Sequence, residues 1–294
     1  MTCAINPGSR YRMPVVFGPA VGPRQHPEGR MWKPEETGTM NSDWMRIAYR
    51  TDPAKLERLL PPGFELRGEP ILSVSCAWFR NLYWLAGRSY GILSLDFQVT
   101  YRGKDETIEG SFCPVIWEGK AEAIVTGREE LGFSKILADF TEIDWNREAG
   151  TAECTAHWHD HTFFDIALTE LVEEANPTKV LPGSGGGPQL YYKYMPRTSP
   201  NGAEGADVQY VTTGAPKGST AANIIMDDFE YRRWTGKGSC NWHKATFEQL
   251  PLTFNIVNTV AALDILEVVD VELVSFSGPG IAISVNSMRA VEPA

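Results

Sequence analysis

The chain has 294 residues, 43% of them hydrophobic, enough to bury a sizeable core in a single large domain. A formal net charge of −10 and an isoelectric point near 5.1 argue against nucleic-acid and anionic-membrane partners, which require clustered Lys and Arg. The five cysteines are odd in number, widely spaced and without a Cys-x-x-Cys pair, so neither a disulfide framework nor a zinc knuckle is indicated and a reducing cytoplasm is expected. No basic segment with a following apolar run stands at the start, and no run of about 18 apolar residues occurs, so export and membrane spanning are not expected.

Residues 1–41 are rich in Pro and Gly and lack periodicity, which predicts an irregular arm, free to wrap a neighbouring subunit, ahead of one domain over 42–294. Asp52 before Pro53 is a helix start, and Pro61-Pro62-Gly63 ends that helix after about two turns. From Leu93 to Tyr101, Leu93, Leu95, Phe97, Val99 and Tyr101 alternate with polar residues, the pattern of a half-buried strand. Residues 71–79, 111–117, 121–126, 137–145, 151–159 and 206–213 also read as strands. Phe164, Leu168, Leu171 and Val172 match helical spacing opposite Asp165, Glu170, Glu173 and Glu174, predicting an amphipathic helix over 163–175. A second helix is expected from Thr253 to Leu263. The fold class is therefore α+β, antiparallel and strand-rich, with a few peripheral helices and a closed or strongly curved sheet.

Lys135 is the candidate for chemistry, because its neighbours Phe133, Ile136 and Leu137 are apolar. An ammonium taken out of water gives up its proton more easily, and the neutral amine attacks carbonyl carbon. His157, His159 and His161 alternate, so on one strand their imidazoles would share a face and could hold a transition metal; a polar or interface face is the plainer reading. Gly183-Ser184-Gly185-Gly186-Gly187 lacks the Gly-Lys-Ser/Thr of a phosphate loop and reads as a flexible connection.

Gly127-Arg128-Glu129, two further positions, then Gly132-Phe133-Ser134-Lys135 resembles the active-site segment Gly-Arg-Glu-x-x-Gly-Phe-Pro-Lys-Lys of the acetoacetate decarboxylase superfamily. Ile47-Ala48-Tyr49-Arg50-Thr51-Asp52-Pro53 with Leu59-Leu60-Pro61-Pro62 is similar to that family's first strand and helix. Tyr192-Lys193-Tyr194-Met195-Pro196, then Trp234-Thr235-Gly236, His243 and Leu250-Pro251-Leu252 follow in the family's order, so the likeness spans roughly residues 44–275. The resemblance implies a cone-like closed β-barrel with Lys135 inside as a Schiff-base nucleophile. It implies a lyase that decarboxylates a keto or oxo acid or joins it to an aldehyde, with no cofactor and no metal, assembled as a homo-oligomer.

Departures from the family pattern bear on the substrate. Ile136 stands where the family has a second cation; Ser42 stands where it has a substrate-facing arginine. Ser75 and Ile92 replace its two pocket glutamates, and Leu131 replaces the glutamine of the aldolase-dehydratase branch. A pocket so stripped of charge suits a substrate bulkier and more apolar than acetoacetate. Arg46, four residues after Ser42, shares its strand face and is the candidate carboxylate partner, with Tyr90, Ile92, Phe133 and Ile136 also assigned to substrate binding. Arg128 and Glu129 are expected to support the lysine's turn as a buried ion pair. The alternatives are a binding protein or carbonyl isomerase on the same barrel without an imine, and a metal-dependent lyase built on the three histidines.

Overall fold

The structure is a computed structural model that describes residues 5–180, 187–200, 204–219, 228–280 and 287–293. Residues 183–186 of the glycine-rich stretch lie outside the described residues. Among the described residues the strands are β1 (Thr39–Arg50), β2 (Phe64–Leu66), β3 (Ile71–Leu82), β4 (Arg88–Arg102), β5 (Thr107–Phe112), β6 (Ile116–Glu118), β7 (Lys135–Leu137) and β8 (Asp139–Phe140). They continue with β9 (Asp144–Asn146), β10 (Thr151–Trp158), β11 (His161–Glu173), β12 (Gln189–Pro196), β13 (Ala206–Thr213), β14 (Glu230–Trp242), β15 (Glu267–Pro279) and β16 (Arg289–Val291). Among the described residues the α-helices are α1 (Pro53–Glu57), α2 (Ala121–Thr126) and α3 (Phe254–Val260). None is long and apolar enough to cross a membrane.

The strands form one mainly antiparallel sheet in the order β16-β13-β12-β5-β4-β3-β1-β15-β14-β11-β10-β8, with parallel pairing between β5 and β12 and between β6 and β7. Among the described residues the sheet is not closed into the barrel expected from the sequence. Strand β4 gives one edge to two partners, β5 along Phe97–Arg102 and β6 along Ile92–Ser94, so β6 and β7 form a spur. At the far end β8 returns over β4 through side chains rather than a ladder: a Cβ placed on Gly91 would lie 2.8 Å from the Phe140 ring.

Along β1, β3 and β4 both faces of the sheet are largely buried. Met45, Ile47, Tyr49, Val74, Leu93, Leu95 and Phe97 form one core with Leu56 beside α1's end and Val257 and Val260 of α3. Trp44, Ala77, Tyr90, Ile92, Tyr191, Val274 and Phe276 form the second, joined by Ala123 of α2 and by Phe133. The alternation read along β4 is present, and its polar face is buried too, with Ser94 and Asp96 5% and 2% exposed.

Two elements differ in type from their sequence reading. Residues 163–173 of the expected helix lie in β11, hydrogen-bonded between β10 and β14. A bulge between Thr169 and Val172, with Glu170 at φ 54°, shifts the phase of alternation, so Leu171 and Val172 fall at a spacing that imitates a helix. Residues 121–126 are helical although Ile124, Val125 and Thr126 favour strands; Ala123 and Thr126, three apart, are the buried pair. The expected strand over 137–145 is broken into β7, β8 and β9. Asp52 caps α1 as anticipated, accepting from the Ala54 and Lys55 amides at 2.8 and 3.3 Å.

The arm docks on its own chain. Arg12 pairs with Glu130 at 2.9 Å and donates to the Thr126 hydroxyl at 2.6 Å, while Trp32 packs edge-on to Tyr83.

Candidate active site

Lys135 begins β7 and is 7% exposed. The chain reaches it through α2, a π-helical turn over Gly127–Leu131, and Gly132 in the left-handed conformation at φ 82°. Gly132 is required twice over, since a Cβ there would also stand 2.9 Å from Lys193 and Thr212. Gly127 has ordinary helical angles, yet a Cβ on it would lie 2.4 Å from Lys135 Cδ and 2.8 Å from Nζ. The lysine side chain therefore runs across the bare backbone of Gly127, which needs a residue without a side chain.

The Lys135 ammonium ends 2.7 Å from Oε1 of Glu118, whose side chain is 4% exposed. Glu118 closes β6, and the parallel β6–β7 register sets Ile116 opposite Lys135 and Glu118 opposite Leu137, so the two charged side chains meet diagonally. Nζ also lies 3.4 Å from the Ala123 carbonyl and 5.2 Å from the centroid of the Phe133 ring. Burial pushes the Glu118 carboxyl above its ordinary range, and the attraction of Lys135 offsets part of that rise. Oε2 of Glu118 is buried and finds no hydrogen-bond partner among the described residues. This pair replaces the bare apolar setting anticipated for the lysine.

Aromatic and aliphatic groups surround the pair. Ile92 stands opposite Glu118 in the β4–β6 ladder, and Tyr90 lies near enough that burial and then the Glu118 charge push its phenol well up. Tyr191 stacks on Phe133 with ring centroids 4.0 Å apart. On the same face, Trp44 Nε1 and Ser75 Oγ are buried without partners among the described residues. Lys135, Tyr90, Ile92 and Phe133 thus come together.

Others of the expected set do not. Arg46 is bound by Glu272 at 2.5 Å, by Asp270 and by Ser73, and lines a separate cavity of about 670 Å³ with Asp96 and Arg233. Two carboxylates already satisfy its guanidinium, so it is not a free partner for a substrate acid. Arg128 and Glu129 form no ion pair with each other: Arg128 is exposed and donates to the Lys135 carbonyl at 2.9 Å, and the Glu129 backbone carbonyl accepts from Lys193 at 2.6 Å. Ile136 turns away from the ammonium onto the first core. The histidines are split by the β10–β11 hairpin, with Trp158 opposite His161 and His159 in the turn, so they do not share one strand face. Glu118, Gly127 and Tyr191 are the additions; an acid two residues after Ile116 in an apolar strand is the signal that marks Glu118.

From Tyr191 a chain of hydrogen bonds leads to the second cavity. Its hydroxyl donates to Gln189 Oε1 at 2.6 Å, and Gln189 Nε2 donates to Asp96 at 2.6 Å. Burial outweighs that bond and the attraction of Arg46, and pushes the Asp96 carboxyl up to about 8. Between pH ~4 and ~8 the folded chain then holds a proton that the unfolded chain has released, so this group's contribution to stability falls as pH rises through that window. Asp96→Asn is expected to flatten the decline, so that its melting temperature exceeds the parent's at pH 8 by several degrees and matches it more closely near pH 5; thermal unfolding at the two pH values checks this.

A sequence profile of the family described as acetoacetate decarboxylase (ADC) matches residues 12–277. The chain belongs to the acetoacetate decarboxylase family. The match carries the likeness read over roughly residues 44–275 into the arm at one end and ends within β15 at the other. Solved structures agree on the fold. An acetoacetate decarboxylase-like enzyme from Sphingomonas wittichii RW1 superposes with a TM-score of 0.62 at 18% identity, covering 87% of this chain and 93% of that one. Acetoacetate decarboxylase from Legionella pneumophila subsp. pneumophila str. Philadelphia 1 gives 0.58 at 21% identity, covering 86% and 90%. The enduracididine biosynthesis enzyme MppR, complexed with the condensation product of pyruvate and imidazole 4-carboxaldehyde, gives 0.60 at 15% identity, covering 86% and 88%. No curated protein sequence matches the chain.

Proposed function

We propose that the chain is a lyase of the acetoacetate decarboxylase type, in which Lys135 condenses with the carbonyl of a keto or oxo acid and Glu118 moves the protons. The observation that carries this reading is the buried 2.7 Å contact between the two side chains. In a medium of low polarity an ion pair and its neutral form, amine beside carboxylic acid, differ little in energy, because proton transfer removes two charges together. Burial raises the Glu118 carboxyl, which lowers the cost of passing a proton to it. The amine then adds to the carbonyl carbon, and the acid gives its proton to the oxygen as water leaves.

The resulting cationic imine draws electrons from a neighbouring carbon–carbon bond. From a β-keto acid, carbon dioxide departs, the bonding pair forms an enamine, protonation of its carbon regenerates the imine, and water releases ketone and lysine. Trp44, Tyr90, Ile92 and Tyr191 fit the more apolar substrate expected from the loss of the family's charged residues.

The same pairing supports a second reading, in which the ammonium keeps its proton and the chain binds a keto acid or a similar ligand without reacting. Turnover separates the two. Wild-type protein incubated with pyruvate plus aldehydes, acetoacetate and longer β-keto and 2-oxo acids should consume at least one of them, and Lys135→Met should lower that rate by at least about 10³-fold. Equal rates in the two proteins would exclude the lysine as nucleophile.

A further inference from the structure

Behind the lysine segment lies a cleft of about 410 Å³, lined by Gly132, Phe133, Ser134 and Ile136 but not by Lys135. The opposite wall is Leu59 with Asn255, Ile256, Thr259 and Val260 of α3, and β12 closes one end with Tyr192–Met195. Its charged liners are two cations, Arg128 and Lys193, with no Asp or Glu among them, in a chain whose net charge is −10. Lys193 is 9% exposed, donates to the Glu129 carbonyl at 2.6 Å, and stands 5.7 Å from the Tyr210 ring centroid. No carboxylate of the described residues comes within ion-pairing distance of Lys193 or Arg128.

A buried ammonium tied to one carbonyl is poorly compensated, and an anion supplied by a ligand would compensate it. Beside the two cations the wall carries an aliphatic stretch, Leu59, Leu95, Val115, Ile256 and Val260, with Ser134, Asn255 and Thr259 as uncharged polar groups. A site of this size with an apolar body and a few convergent polar groups has the form of a small-molecule pocket. We propose that this cleft binds an organic carboxylate with an apolar tail, its head between Lys193 and Arg128 and its tail along α3. Because Arg128 also holds the Lys135 carbonyl, the ligand would brace the segment that carries Lys135 from the side away from Glu118. The site stands apart from the imine reading, since Lys135 is no part of its wall.

Calorimetric titration of the full chain with octanoate, and with octanol and octylamine as neutral and cationic controls, tests the proposal. Octanoate should bind the wild type at one site with submillimolar affinity, and the controls at least tenfold more weakly. Lys193→Met should weaken octanoate at least tenfold, Lys193→Arg should restore much of the loss, and Lys135→Met should leave it unchanged. Thr259→Trp, on the exposed side of α3, should block the cleft without touching a charge and carries the test if Lys193→Met fails to fold. The proposal is overturned if octanoate shows no saturable binding, if octanol binds equally well, or if binding survives Thr259→Trp and is lost with Lys135→Met.

Discussion

Glu118→Gln is expected to lower turnover by about 10²- to 10⁴-fold, the range for removing a positioned proton donor and acceptor. The amide keeps the size of the carboxyl and can still accept a hydrogen bond from Lys135, so packing around the 4% exposed side chain is preserved. What is lost is the ability to take the ammonium's proton and return it to the departing oxygen. Both transfers belong to imine formation, so that step should slow along with turnover, and borohydride should trap the Lys135 adduct in the variant only after much longer incubation. A variant with full turnover would reduce Glu118 to a counter-charge. One with neither imine nor turnover would make Glu118 essential for placing the amine.

Gly127→Ala is expected to cost at least about 10²-fold in turnover while leaving the fold nearly as stable as the parent. The backbone at Gly127 is in the right-handed helical region, where alanine is the better residue, so the conformational change alone would stabilise. The added methyl, however, would stand 2.4 Å from Lys135 Cδ and 2.6 Å from Cε, and the flexible lysine is what moves. A displacement of about 1 Å at a reacting group suffices for a hundredfold loss. Thermal unfolding alongside the rate assay separates this from simple overpacking, which would lower stability by about 1–3 kcal/mol and leave the lysine's reactivity intact.

The sequence made strands with a regular period legible and hid those whose period is interrupted. β4 declares itself because Leu93 to Tyr101 alternate without a break. β11 does not, because the bulge at Glu170 shifts its apolar set by one residue and turns a two-residue period into an apparent helical one. α2 carries β-branched residues that favour strand locally, and its burial of Ala123 and Thr126 is set by packing that only the assembled sheet provides. In the site, the lysine was legible through its motif and apolar neighbours. Glu118 was not, because 17 positions separate it from Lys135 (135 − 118) and only the parallel β6–β7 register brings them together. Arg46 illustrates the converse: even spacing from Ser42 set its face correctly, but Asp270 and Glu272, more than 220 residues away, decide what it binds.

Peptide mapping after borohydride reduction tests the central claim most directly. Wild-type protein would be reduced in the presence of each keto or oxo acid that it consumes, digested, and the modified peptide sequenced by mass spectrometry. The account predicts a single reduced adduct on Lys135, absent from Lys135→Met and diminished in Gly127→Ala. An adduct on Lys193 or on surface lysines alone, or turnover with no adduct at any lysine, would contradict it.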